Sequence, residues 1–195
     1  MHNPCRNTRL AKLDAEDGPY TALILAAAGL ERLGFADRIT SLVGPPTLYP
    51  AVGQAALGVE IRSNDPKVAQ VASVLTHWQT QWSCLAERAC LRLLEGGCSV
   101  PVGVHSTLAP SEAEGGKRSA TLTMVGTVTS LDGAVHVEAT VEKVIDGVEA
   151  AEALGRNLGD QLIASGADVI LEDIKKDRQA KQIKQNIPVT SEVSQ

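Results

Sequence analysis

Ala120-Thr121-Leu122-Thr123-Met124-Val125-Gly126-Thr127-Val128-Thr129, then Ser130-Leu131-Asp132-Gly133, then Ala134-Val135-His136-Val137-Glu138-Ala139-Thr140-Val141-Glu142-Lys143-Val144, is a stretch of period two broken once by a turn. Successive strand side chains point to opposite faces, and Asp-Gly favours the tight turn of a hairpin. Val135, Val137, Ala139 and Val141 alternate with polar or charged neighbours, so one face of this sheet is expected to be buried and the other wetter. Upstream, Val100 to Leu108 adds another strand. Downstream, Gly147 to Ala164 places Val148, Ala151, Leu154, Leu158 and Leu162 at helical spacing, with Gly166 as its stop, which supplies a helix to cover the buried face. A second covering helix is expected from about Gln79 to Glu95, with Trp78, Trp82, Leu85 and Ala89 on one face and Cys84 and Cys90 as small core residues. The pattern predicts a compact α+β domain over residues 77–174: a three-stranded antiparallel sheet covered by helices.

The residues before it read differently. Thr8 is a plausible N-cap for a short helix through Leu13, and Asp14 to Pro19 reads as a loop. Tyr20-Thr21-Ala22-Leu23-Ile24-Leu25 is a short apolar run between turn residues, the pattern of a strand buried on both faces of a parallel sheet. Ala26-Ala27-Ala28-Gly29 follows it. Ligands collect beyond the carboxyl ends of such strands, so these small residues are either a ligand wall or a tight strand-to-helix packing point. A short helix is expected around Leu30 to Leu33, and a second β-like stretch from Leu48 to Arg62, where Gly53 and Gly58 favour a hinge or binding turn. Asn64 or Asp65 can cap a helix that has Pro66 at its first position, with Val68, Val71, Ala72 and Leu75 as its apolar stripe. Residues 1–76 are therefore expected to form an incomplete α/β unit. Ala167 to Ile174 adds a short terminal element, and residues 175–195, charged then polar, are expected to be a disordered tail.

Composition narrows the function. A formal net charge of -5 in 195 residues opposes a general binder of nucleic acid or of anionic membrane, so any anion site must be local. The longest apolar stretch, Tyr20 to Leu30, is about half of a membrane span. Cysteines at positions 5, 84, 90 and 98 form no CxxC and do not match a structural zinc spacing, so no metal is expected and a reducing, cytoplasmic setting is.

One cysteine stands apart. Leu94-Glu95-Gly96-Gly97-Cys98-Ser99-Val100-Pro101-Val102-Gly103 puts a thiol after a glycine pair that permits a left-handed helix end, which throws Cys98 onto a loop. There it can serve as a nucleophile, a redox sensor, a metal ligand or a permanent anchor, or be inert. No histidine completes a catalytic pair by sequence: His77, His105 and His136 lie on different expected elements.

Glu87-Arg88, then Gly97-Cys98, then Val100-Pro101-Val102-Gly103 resembles the signature of the porphobilinogen deaminase (hydroxymethylbilane synthase) family. Thr8-Arg9-Leu10-Ala11-Lys12-Leu13-Asp14, Ile24-Leu25-Ala26-Ala27-Ala28-Gly29-Leu30-Glu31-Arg32-Leu33-Gly34 and Pro50-Ala51-Val52-Gly53-Gln54 resemble three further stretches of that family in the same order. The resemblance covers roughly residues 7–172. It implies that residues 1–76 are a partial periplasmic-binding-protein-like α/β unit, the end of the family's second domain with its hinge and crossover, and that residues 77–174 are the third domain. It implies polymerisation of four porphobilinogen molecules with release of ammonia, on a dipyrromethane cofactor held through a thioether to Cys98. Deaminated porphobilinogen is an electrophilic methylene, and a soft exposed sulfur captures it in a lasting bond. Pyrroles carry acetate and propionate groups, which suit the bidentate arginine fork. By resemblance Arg9 binds cofactor and substrate carboxylates, Arg32 binds substrate, and Ala26 and Gln54 line the cofactor cavity. Further implications are linear oligopyrrole ligands, a cytoplasmic location and a monomeric state at full length, with neither nucleic acid nor membrane as a partner.

The departures matter as much. The catalytic aspartate of the family lies in its first domain, which has no counterpart here, so no catalytic residue is assigned in this chain. A truncated, non-catalytic member that binds tetrapyrrole precursors or a partner without turnover is the alternative. Asn3 stands where the family has a further arginine, Ala55 where it has glycine, and Cys90 where an aliphatic residue is usual. The stretch from Ala56 to about Ser73 is expected to cross towards the first domain, leaving Leu57, Val59 and Ile61 without their usual partners at about 1.5–3 kcal/mol of forgone burial each.

Overall fold

The computed structural model describes residues 4–94, 101–112 and 116–185, and the chain divides into two compact units, Met1–Val43 and Gly44–Gln195. In the first unit, α1 (Pro4–Leu13) and α2 (Ala27–Arg32) bury Leu10, Gly29 and Leu30, and a 3-10 turn, Ala36–Arg38, follows. α1 begins before the expected Thr8. The strand expected over Tyr20 to Leu25 does not form, and Ile24 is 70% exposed. A strand buried on both faces needs hydrogen-bonded neighbours, and the described residues contain one sheet, in the other unit, with no parallel pairing.

In the second unit, Asp65 caps α3 (Pro66–Ser73) by accepting a hydrogen bond from the Val68 amide at 3.1 Å, with Pro66 in the first turn, as the sequence predicts. Its expected apolar stripe covers nothing: none of its residues is buried. The β-like stretch expected over Leu48 to Arg62 is turn and irregular chain instead, because Gly53 and Ala55 both adopt positive φ, which no extended strand accommodates.

The sheet is the predicted hairpin with a third strand on the free side of its first strand. β1 (Val102–Glu112), β2 (Arg118–Thr129) and β3 (His136–Ile145) run antiparallel in the order β1-β2-β3, with Val104 opposite Gly126 and Gly126 opposite Ala139. Asp132 shapes the turn by accepting from the Ser130 hydroxyl at 2.5 Å and the Ala134 amide at 3.1 Å, which holds its carboxyl below the usual range, and Gly133 takes the positive φ. Val135 belongs to this turn and is exposed, not inward as the alternation suggested. Ala120, Leu122, Met124 and Val128 of β2 and Val137, Val141 and Ile145 of β3 all point into the core.

α4 (Trp78–Leu93) and α5 (Val148–Ala164) cover that face. Trp82, Ala86, Ala89, Cys90 and Leu94 are buried, and Trp78 meets Trp82 edge to face with ring centres 4.7 Å apart. α5 buries Ala151, Leu154, Leu158 and Leu162, the predicted stripe, and Gly166 ends it at φ 100°. The two helices touch backbone to backbone: a Cβ on Gly155 would lie 1.9 Å from the Ala86 carbonyl oxygen. α6 (Ala167–Gln185) replaces both the short element and the start of the expected disordered tail. Ala167, Ile170, Leu171 and Ile174 anchor it in the core, while Lys176 pairs with Glu172 at 3.7 Å and Asp173 at 3.6 Å in a stretch rich in good helix formers. Residues 186–195 of that expected tail lie outside the described residues. No helix among the described residues is long and apolar enough to cross a membrane.

Candidate functional site

The glycine of the Val100-Pro101-Val102-Gly103 run has a steric reason. A Cβ there would stand 2.6 Å from the Tyr49 Cβ and 3.0 Å from Thr127 Oγ1, so residues 49–50 lie directly on β1. The Val104 amide donates to the Pro50 carbonyl at 3.1 Å, extending the sheet edge by one hydrogen bond. Desolvation, and then the neighbouring Glu138 carboxylate, raise the Tyr49 phenol above its ordinary pKa.

From Pro50 the chain enters a tight double turn. The Gln54 amide donates to the Ala51 carbonyl at 3.0 Å and the Ala56 amide to the Gly53 carbonyl at 3.1 Å. Gly53 sits at φ 71° and Ala55 at φ 69°, a left-handed geometry that glycine adopts freely and alanine at a cost of about 1–2 kcal/mol. Glu87 of α4 reaches this turn. The residue is 9% exposed, and its carboxylate accepts from the Gly53 amide at 2.8 Å through Oε2 and from the Ser106 hydroxyl of β1 at 2.5 Å through Oε1.

These three walls line an open cleft of about 400 Å³, with Gln54 and Ala55 of the turn, Gln79, Thr80 and Cys84 of α4, and His105 of β1. That volume is in the range of small-molecule sites. The lining is amide, hydroxyl, thiol, imidazole and backbone; its one carboxylate, Glu87, is engaged on both oxygens. Gln79 Oε1 is buried and accepts no hydrogen bond among the described residues, so it stands ready for an N–H or O–H donor. Burial, then the neighbouring Glu87, raise the Cys84 thiol above its ordinary range, against a smaller lowering by Arg88. Cys90, fully buried, is pushed up to about 12 by burial and by Glu87. Both thiols are therefore protonated and weakly nucleophilic at neutral pH.

Of the residues singled out in the sequence, Gln54 lines this cavity. Arg9 on α1 and Arg32 in the last turn of α2 are exposed, and neither guanidinium is paired among the described residues. Arg38, by contrast, is clamped on Asp14 by two hydrogen bonds of 2.6 and 3.2 Å. Ala26 is the N-cap of α2, exposed, its carbonyl accepting from the Gly29 amide at 3.0 Å. Cys98 lies outside the described residues, between α4 and β1 in the chain. Sequence reasoning missed the role of Glu87. The available signal was a carboxylate set among the small apolar residues Ala86, Ala89 and Cys90 on the buried face of α4, where it demands partners.

A helix-covered antiparallel sheet whose edge strand β1, with α4 and a strained turn, lines a cleft is an α+β domain, preceded in the chain by a small helical unit. Residues 5–70 match the family model described as porphobilinogen deaminase, dipyromethane cofactor binding domain, and residues 82–164 match porphobilinogen deaminase, C-terminal domain. The chain is 49% identical over 168 residues to the porphobilinogen deaminase of Synechococcus elongatus, covering 86% of this chain and 48% of the relative. It is 41% identical over 180 residues to that of Schizosaccharomyces pombe, covering 92% and 52%, and 41% identical over 172 residues to that of Saccharomyces cerevisiae, covering 88% and 50%. The chain belongs to the porphobilinogen deaminase family, and it spans about half the length of these relatives.

Proposed function

We propose that the chain is the cofactor-bearing part of a hydroxymethylbilane synthase, a cytoplasmic transferase that joins four porphobilinogen molecules head to tail with release of one ammonia each. The observation that carries this reading is the coincidence of the two family matches with a cavity whose donor and acceptor set suits a pyrrole ligand. The fit is chemical. The orphaned Gln79 Oε1 suits a pyrrole N–H, and the Gln54 amide and Thr80 hydroxyl suit carboxylate substituents. Both Glu87 oxygens are occupied by the Gly53 amide and the Ser106 hydroxyl, which leaves contact with the ligand to the neutral groups of the lining.

In this reading Cys98 anchors dipyrromethane through a thioether, and Ala26 and Gln54 line its site. Arg9 contacts both cofactor and substrate carboxylates, and Arg32 substrate carboxylates; their unpaired guanidinium groups support this. The bound cofactor supplies the pyrrole terminus on which porphobilinogen units are joined. No residue of this chain is assigned the catalytic proton transfers, which belong to an aspartate of the family's first domain. We take residues 1–76 as the end of the second domain, of periplasmic-binding-protein type, and 77–174 as the third. The full-length enzyme is read as a monomer acting on porphobilinogen and linear oligopyrroles.

A second reading is favoured by one observation. Leu57 is 91% exposed, Val74 80% and Val71 70%, with Val59, Val68 and Leu75 also exposed, an apolar run of the kind that marks an interaction surface. By itself the 195-residue chain then binds tetrapyrrole precursors or a partner without turnover. Porphobilinogen consumption separates the two. The chain joined behind the leading half of the Synechococcus relative is expected to release one ammonia per porphobilinogen while the chain by itself releases none. Absence of turnover in the joined protein contradicts the first reading, and binding of porphobilinogen by neither protein contradicts both.

A further inference from the structure

We propose that Glu87 is the positioning residue of this site: its carboxylate pins the Gly53-Gln54-Ala55 turn to α4 and β1 and so sets where Gln54 stands in the cavity. The proposal rests on the reading of the cavity as the pyrrole site only for its ligand; the clamp itself rests on geometry.

Three observations converge on it. The two oxygens of one buried carboxylate are spent on two different walls, the Gly53 amide at 2.8 Å and the Ser106 hydroxyl at 2.5 Å, partners 34 and 19 residues away in the chain. The wall held by the first bond is under backbone strain, with Ala55 at φ 69° where the chain has no glycine to relax it. Gln54, flanked by the two positive-φ residues, is exposed and lines the cavity, so nothing in the turn itself fixes its side chain. A buried carboxylate without donors is costly, and a strained turn without an external restraint opens; each need is met by the other. Charge-assisted bonds of this kind are roughly twice as strong as neutral ones, which makes one side chain sufficient for the task.

Amide exchange of the unliganded 195-residue protein tests this, with the peptide holding Gly53 and Gln54 compared with one from β2. Glu87→Gln keeps an acceptor for the Gly53 amide and a donor towards Ser106, and is expected to speed exchange of the turn only a few-fold. Glu87→Ala removes both partners and is expected to speed it tenfold or more, with β2 unchanged. Ala55→Gly in the Glu87→Gln background is expected to recover most of that loss, because the turn then needs less restraint. A uniform change across turn and β2, or equal effects of the two Glu87 variants, means a general structural role and overturns the proposal. Should Glu87→Ala fail to fold, the Glu87→Gln and Glu87→Gln/Ala55→Gly pair decides by itself, since unchanged turn exchange in Glu87→Gln overturns the clamp. Porphobilinogen titration runs alongside: a graded weakening, wild type tighter than Gln and Gln tighter than Ala, supports both clamp and ligand. Faster turn exchange with porphobilinogen bound by no variant keeps the clamp and discards the ligand assignment.

Discussion

Gly155→Ala probes the contact on which the position of Glu87 depends. A Cβ at residue 155 would stand 1.9 Å from the Ala86 carbonyl oxygen, 2.7 Å from its carbonyl carbon and 3.0 Å from its Cα. The obstacle is backbone, so no rotamer change relieves it. Restoring a contact of about 3 Å requires α4 and α5 to part by about 1 Å, and a gap of that size forfeits up to half of the dispersion energy along the interface. Overpacking of this kind costs about 1–3 kcal/mol, and a rigid obstacle puts it at the upper end. Ala in place of Gly inside a helix returns about 1 kcal/mol. The net expectation is destabilisation by about 2 kcal/mol, a fall in Tm of about 4–8 °C for a unit of this size. Melting followed through Trp78 and Trp82 on α4 reads it, with Gly58→Ala, whose Cβ meets nothing within 4 Å, as the control. A Gly155→Ala protein that melts at or above the wild-type temperature refutes the close crossing.

Ala55→Gly is expected to stabilise the second unit by about 1 kcal/mol, by removing the left-handed strain at φ 69°; an unchanged or lower denaturation midpoint contradicts the strained turn. Cys90 makes stability depend on alkaline pH. Its folded pKa of about 12 lies above that of an unfolded thiol, so its contribution is whole below about pH 9 and is lost as pH rises towards 12. Cys90→Ala should flatten that decline, and identical slopes of midpoint against pH would remove the buried thiol from the account. Asp65→Ala should speed amide exchange across residues 66–73 by loss of a cap worth about 1 kcal/mol, yet leave the Tm of the second unit unmoved, since α3 buries no residue. A fall in Tm would mean that α3 packs on the core.

What could be read from sequence is what is decided locally. Asp132-Gly133 announces its turn because the aspartate carboxylate and the glycine φ act within four residues, and the same holds for Asp65 before Pro66. The stripe of α5 is legible because a helix repeats its contacts every turn. Tyr20 to Leu25 misleads because an apolar run states a need for burial without naming a partner, and no strand pairs with it here. α6 outruns its expectation because charged helix formers sustain a helix that a short apolar segment has already anchored. In the site, the resemblance pointed to Gln54, but the carboxylate that holds its turn lies 34 residues on, a pairing that no local pattern encodes.

The proposed function requires this chain to present a pyrrole primer on Cys98. Intact mass of the chain, joined behind the leading half of the Synechococcus relative and produced in cells that make porphobilinogen, tests it most directly. The expected result is an added mass of two porphobilinogen-derived pyrrole units, mapped by peptide sequencing to Cys98 and absent from Cys98→Ser. A bare thiol at that position in the well-folded joined protein contradicts it.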